Sequence, residues 1–189
     1  GFSYFRYYGA KYGMNYGVAI HSLRDMAREI GTDDDLAGFL FRQQVRELQI
    51  IALWIADAAA VTPETFDVWH SRIINSELAE QAAQGLLCRI TAIDTLLERW
   101  CAEGSELAAY AALLAASRSD IVTDTALQSA VNNTVTRFAD NHLAAQGVSR
   151  LLSAKIAKNR QMVADILAAM PNNKSADSVR EQVAWQLEY

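Results

Sequence analysis

The sequence predicts an all-α fold, an α-solenoid of about five antiparallel helix pairs, on three observations. The composition favours helix: 32 alanines and 19 leucines stand against two prolines and nine glycines, and six of those glycines fall within the first 38 residues. From residue 20 onward apolar side chains recur at helical spacing, and nowhere does the chain alternate apolar and polar residues as a half-buried strand would. Four segments also open alike, at Arg46-Glu47-Leu48, Ser76-Glu77-Leu78, Ser105-Glu106-Leu107 and Asn141-His142-Leu143. One further helix fits between each of these starts and the next, which is the arrangement of stacked helix pairs that bury their apolar faces against neighbouring pairs.

The helix boundaries follow in chain order. Thr32 precedes the run Asp33-Asp34-Asp35, whose carboxylates suit the positive end of a helix. Thr62-Pro63-Glu64 sets a capping hydroxyl, a first-turn proline and an acid in the order that opens a helix. Asn75/Ser76, Ser105, Asn141 and Ser175 mark later starts, and Pro171 stops the helix that ends near Met170. The count is ten or eleven short helices. They read as one domain over 1–189: an aromatic and glycine-rich cap segment over 1–19, then helical repeats over 20–189.

Composition excludes several classes. The longest unbroken apolar run, Leu107 to Ala116, is far too short to span a membrane, so no membrane association is expected. A net charge of -5 argues against wholesale coating of nucleic acid and requires any such site to be a local patch. Cys88 and Cys101, each within a helical pattern, read as small buried hydrophobes in a reducing, cytoplasmic setting. His21, His70 and His142 have no His or Cys at ligand spacing, so no metal site is expected, and no glycine-rich phosphate loop or other cofactor motif occurs.

At Tyr16-Gly17-Val18 followed by His21-Ser22-Leu23-Arg24, and again from Arg46 to Leu53, the sequence resembles the AlkD-type DNA alkylation repair family. The likeness continues through the Trp69 helix and the Glu77 to Leu87 segment. It implies HEAT-like repeats and an alkylpurine DNA glycosylase that cleaves the N-glycosidic bond of cationic alkylated purines, with an aspartate at one helix start and tryptophans that cradle the sugar. Where that family reads Trp-Asp-x-x-Asp, this chain has Ser76, Glu77, Leu78, Ala79 and Glu80. The first tryptophan is absent, and the resemblance passes the catalytic carboxylate to Glu80. An expected arginine falls near Ala109 or Tyr110, and a second tryptophan near Arg150. Because cleavage develops positive charge on the sugar, a carboxylate there could still assist, but Glu is one methylene longer than Asp and the aromatic cradle is lost. The resemblance therefore implies a weak or lost N-glycosylase.

Each candidate residue also has a plainer reading. On the helix from Ser76, Leu78, Ala82, Leu86 and Ile90 form the apolar stripe, and Glu77, Glu80, Gln81 and Gln84 take the opposite face. Glu80 is then either a catalytic carboxylate or one of a solvated acidic pair complementing the helix dipole. Arg150, Lys155, Lys158 and Arg160 make a local excess of positive charge with no acid between them, either a DNA-phosphate patch or an ordinary surface. The aromatics and cations of the first sixteen residues suit either stacking on unpaired bases or a cap over the end of the repeats. Trp54, Trp69, Trp100 and Trp185, with Tyr110, read as core. Two functions remain open: a double-stranded DNA-binding protein with at most residual excision through Glu80, and a non-catalytic scaffold for a protein partner.

Overall fold

A computed structural model describes residues 12–188, and among them there is no β-sheet and there are eleven α-helices. They are α1 (Ile20–Ile30), α2 (Asp34–Phe41), α3 (Arg46–Ile55), α4 (Phe66–Arg72), α5 (Ser76–Gly85), α6 (Ile93–Glu103), α7 (Glu106–Arg118), α8 (Asp124–Arg137), α9 (His142–Lys155), α10 (Arg160–Ala169) and α11 (Lys174–Val183). The four repeated starts open α3, α5, α7 and α9, with α4, α6 and α8 between them.

Local capping sets the boundaries. Asn75, Ser105 and Asn141 accept hydrogen bonds from the backbone N–H three residues on, at 2.9, 3.1 and 2.8 Å, and so satisfy groups a helix start leaves open. Thr123, Asn159 and Asn173 do the same for α8, α10 and α11. Asp33, not Thr32, caps α2, and Asn173 caps α11 in place of Ser175. Ser175 is instead buried, with its hydroxyl between the Phe138 carbonyl and the Asn141 N–H. At Thr62-Pro63-Glu64 the chain first makes a 3-10 turn closed by a reciprocal Thr62/Thr65 capping box, and α4 starts one residue later.

The described chain divides into two compact units, the first ending at Thr91 and the second beginning at Ala92. In the first, α1 and α5 both pack on α3, and α2 packs on it from its own end of the chain. Leu23, Ile50, Leu53, Phe66, Leu78 and Leu86 form its core. In the second, α9 lies between α7 and α11 as one row, α6 pairs with α8 as another, and α7 contacts α6 across the rows. Packing each helix against its next-but-one neighbour is what a two-layer stack of helix pairs produces. Helix α7 is buried along Ala108 to Ala116, and its alanines allow the close approach that a helix surrounded on all sides requires.

Most of the aromatic segment expected to cap the chain lies outside the described residues. From Tyr12 the backbone runs extended along the turn between α2 and α3, where Met14 N–H donates to the Gln44 carbonyl and Arg46 N–H to the Met14 carbonyl, at 3.1 and 2.8 Å. Any β-carbon on residue 13 would lie 2.6 Å from the Gln44 carbonyl oxygen, which is why this crossing needs Gly13. Of the tryptophans expected in the core, Trp69 and Trp100 are buried and Trp54 is half-buried. Trp185 is 57% exposed, on the 3-10 turn that follows α11.

Candidate functional site

Helix α5 carries the carboxylate singled out in the sequence. Leu78, Ala82, Leu86 and Ile90 are all fully buried as expected, but α5 ends at Gly85, so Leu86 and Ile90 reach the core from the 3-10 turn that follows and not from the same helix. The opposite face is not a solvated one. Glu77 is 1% exposed and Gln81 is buried, because α3 and α1 present polar partners to that face. Arg46, itself 0% exposed, donates from Nε and Nη2 to the two Glu77 oxygens at 2.7 and 3.1 Å, and the Tyr12 hydroxyl donates to Glu77 at 2.7 Å. The remaining guanidinium nitrogen donates to the Val18 carbonyl and to Glu47, which also accepts the Tyr16 N–H. Burial first, and the Glu80 carboxylate second, push the Glu77 carboxyl up to about 8; the fork of hydrogen bonds from Arg46 opposes both.

One turn along, the Trp54 indole N–H donates to Gln81 at 2.9 Å, and Arg24 lies 4.7 Å over the Trp54 ring while donating to Gln84 at 2.5 Å. Gly85 lets the ring sit this close, since a β-carbon there would be 2.7 Å from it. Glu80 stands on the same helix, half-buried, between the Glu77 ion pair and the Arg24–Gln84 contact. It belongs to a face of α5 that joins three helices, a role that residue type and spacing did not reveal. The only sequence signal was weak: Arg46 opens the first of the four repeated segments, where the other three have Ser or Asn.

The structure spreads Arg150, Lys155, Lys158 and Arg160 along the second half of α9, the turn after it and the start of α10. Arg150 and Lys158 are exposed. Arg160 is exposed and donates to the Leu187 carbonyl at 2.7 Å. Lys155 is 7% exposed, its ammonium donating to the Ser119 carbonyl at 3.0 Å; desolvation and the nearby Lys158 lower its pKa, while Asp120 and Asp124 work to raise it. Asp124 also accepts from Asn159 at 3.2 Å, so acids distant in sequence border this stretch. Tyr110 is 1% exposed and packs in the core of the second unit.

The cysteines differ in reach. Cys101 is buried, and burial pushes its thiol up to about 12, whereas Cys88 is half-buried. A disulfide-exchange reagent is expected to label one thiol in the folded protein and two in denaturant; rapid labelling of both in the folded state would contradict the packing of Cys101. No helix among the described residues is long and apolar enough to cross a membrane.

Paired helices stacked in two rows, with next-but-one packing, define a HEAT-like repeat protein. A similar solved structure is described as a new family of proteins related to the HEAT-like repeat DNA glycosylases with affinity for branched DNA structures; the TM-score is 0.70 at 17% identity, over 97% of this chain and 87% of that one. The family model described as DNA alkylation repair enzyme matches residues 3–181, and the chain belongs to that family. No curated protein sequence matches it.

Proposed function

We propose that this protein binds DNA and retains weak or no N-glycosylase activity on alkylated purines. The family match over residues 3–181 carries the reading. Contacts to phosphate fall to the exposed cations Arg150, Lys158 and Arg160, with Lys155 bracing the turn that presents Lys158. Glu80 is the carboxylate in a position to assist cleavage, but its neighbours on α5 are committed to structure: Glu77 to Arg46, and Gln81 to Trp54. A side chain held at the edge of such an interface is poorly placed to reach a sugar, which supports low activity.

The test is binding measured by fluorescence anisotropy over a salt series, on blunt duplex and on a four-way junction, the latter because the similar solved protein has affinity for branched DNA. Wild type is expected to bind with affinity that falls steeply as salt rises. The triple variant Arg150→Gln/Lys158→Gln/Arg160→Gln is expected to flatten the log–log slope by up to about 0.9 for each phosphate that is no longer neutralised. An unchanged slope removes these residues from the interface, and absence of binding to either DNA removes the reading. Release of a methylated purine is expected to be slow or absent and, where detectable, to disappear in Glu80→Gln; release unaffected by that change would exclude Glu80.

A further inference from the structure

In the first unit, a pocket of about 740 Å³ opens beside α2, α3 and α4, away from the polar face of α5 described above. Two guanidiniums, from Arg42 and Arg72, line it together with Phe41, Gln44, Gln49 and Ser71. Among the described residues no acid lines it, although Arg42 and Arg72 both also border an adjoining depression where Asp34 and Asp35 stand. Arg72 is held between two rings, its Cζ 4.6 Å from the centre of Trp69 and 5.1 Å from that of Phe41. Among the described residues neither guanidinium makes a hydrogen bond or a salt bridge. Their donors therefore remain unused, although each repels the other; desolvation, and the Arg42 charge in addition, lower the Arg72 pKa against the pull of Asp34. Two arginines sharing an acid-free wall, with one aligned by aromatic stacking, suit a phosphate, which accepts paired N–H donors from such groups.

A second observation points to more than an isolated anion. Gln49 is buried at 6% exposure, and its amide nitrogen donates to the Phe41 carbonyl at 3.2 Å, which fixes the amide's orientation because the opposite setting would bring two oxygens together. Its Oε1 is left buried without a partner, on a residue that lines the pocket, so a ligand reaches it only with a small shift of the side chain. A buried acceptor with no donor is costly unless a ligand supplies one. Each of the four DNA bases carries an N–H donor, and the volume lies in the range of small-ligand pockets.

We propose that this pocket holds one unpaired nucleotide of a DNA strand, the phosphate on Arg42 and Arg72 and the base edge on Gln49 Oε1. The assignment rests on the DNA-binding reading for its choice of ligand source, and it gives the first unit a role in distinguishing open from fully paired DNA. Binding is compared for a forked DNA with single-stranded arms and a blunt duplex, using wild type, Arg42→Gln and Gln49→Leu. Arg42 is exposed, so its change leaves the fold intact. Arg42→Gln is expected to weaken binding to the fork by about tenfold or more and to leave the duplex nearly unaffected. Gln49→Leu is expected to weaken the fork selectively as well. Equal losses on both DNAs, or no loss on the fork, would overturn the assignment.

Titration with thymidine 5′-monophosphate, followed through tryptophan emission because Trp69 stacks on Arg72, separates the two readings. If wild type binds neither DNA but the mononucleotide changes the emission, and Arg42→Gln abolishes that change, the phosphate site stands and its DNA source is wrong. No response to the mononucleotide in wild type, together with no preference for the fork, overturns the site itself.

Discussion

Replacing Arg46 with methionine is expected to destabilise the protein by about 3–5 kcal/mol, the range for breaking a buried ion pair by removing one partner. The guanidinium is fully buried and meets both oxygens of Glu77, one of Glu47 and the Val18 carbonyl. Methionine fills similar volume, so the loss reports charge and hydrogen bonding more than a cavity. Urea denaturation of Arg46→Met and of Arg46→Met/Glu77→Gln checks the cause: the double variant recovers part of the loss, since no unpaired carboxylate then remains at position 77. A loss below about 1 kcal/mol would place Arg46 among ordinary surface pairs.

The pH dependence has a definite sign. Loss of Arg46 removes donors that favour the charged Glu77 carboxyl, so in the variant the carboxyl lies above the value of about 8 that it has with Arg46 in place. A carboxyl raised in the folded state contributes stability that is fully present below its unfolded value and lost as the pH climbs through its folded value. The gap between wild type and Arg46→Met should thus be nearly constant below about pH 8 and should widen as the pH rises above it. A gap that widens on acidification would contradict it.

Tyr110→Ala is expected to cost about 3–5 kcal/mol, in line with removing a large buried aromatic from a core. The ring is 1% exposed on α7, and its edge lies 3.2 Å from where a β-carbon on Gly147 of α9 would stand, so the two helices meet closely at this point. The position lies where the family resemblance would set a functional arginine, and the core location makes a further prediction: DNA affinity measured well below the melting temperature should be unchanged in Tyr110→Phe. Loss of affinity in that variant, with stability retained, would move Tyr110 from the core into the binding site.

Helix starts were legible because a cap is a local device. Asn75, Ser105 and Asn141 each bond an N–H only three residues away, so residue type and neighbours suffice. The miss at Thr32 is of the same local kind, an adjacent Asp33 being an equally good cap and the one used. Polar faces were not legible in this way. Glu77 and Glu80 look alike in the sequence, both acids near a helix start, yet one is sealed against Arg46 and the other is half-buried at the edge of the contact. The basic run at Arg150 to Arg160 likewise stands out by charge alone, whereas Lys155 turns inward to the Ser119 carbonyl and Asp124 borders the stretch.

Composition, periodicity and repeated starts by themselves determined that this chain is helical and that its helices come in repeating pairs, and the residues at Tyr16 to Arg24 and Arg46 to Leu53 carried the family resemblance. These properties depend on backbone preference and on the side chains of one helical turn. Only the tertiary structure decided which charged groups are removed from water and which groups distant in sequence meet: Arg46 and Glu77 are 31 residues apart, Lys155 and Ser119 are 36 apart, and Arg42, just past α2, lines one pocket with Arg72 of α4. The electrostatics of each group follows from its distance to partners and to solvent, and those distances exist only once the helices have packed.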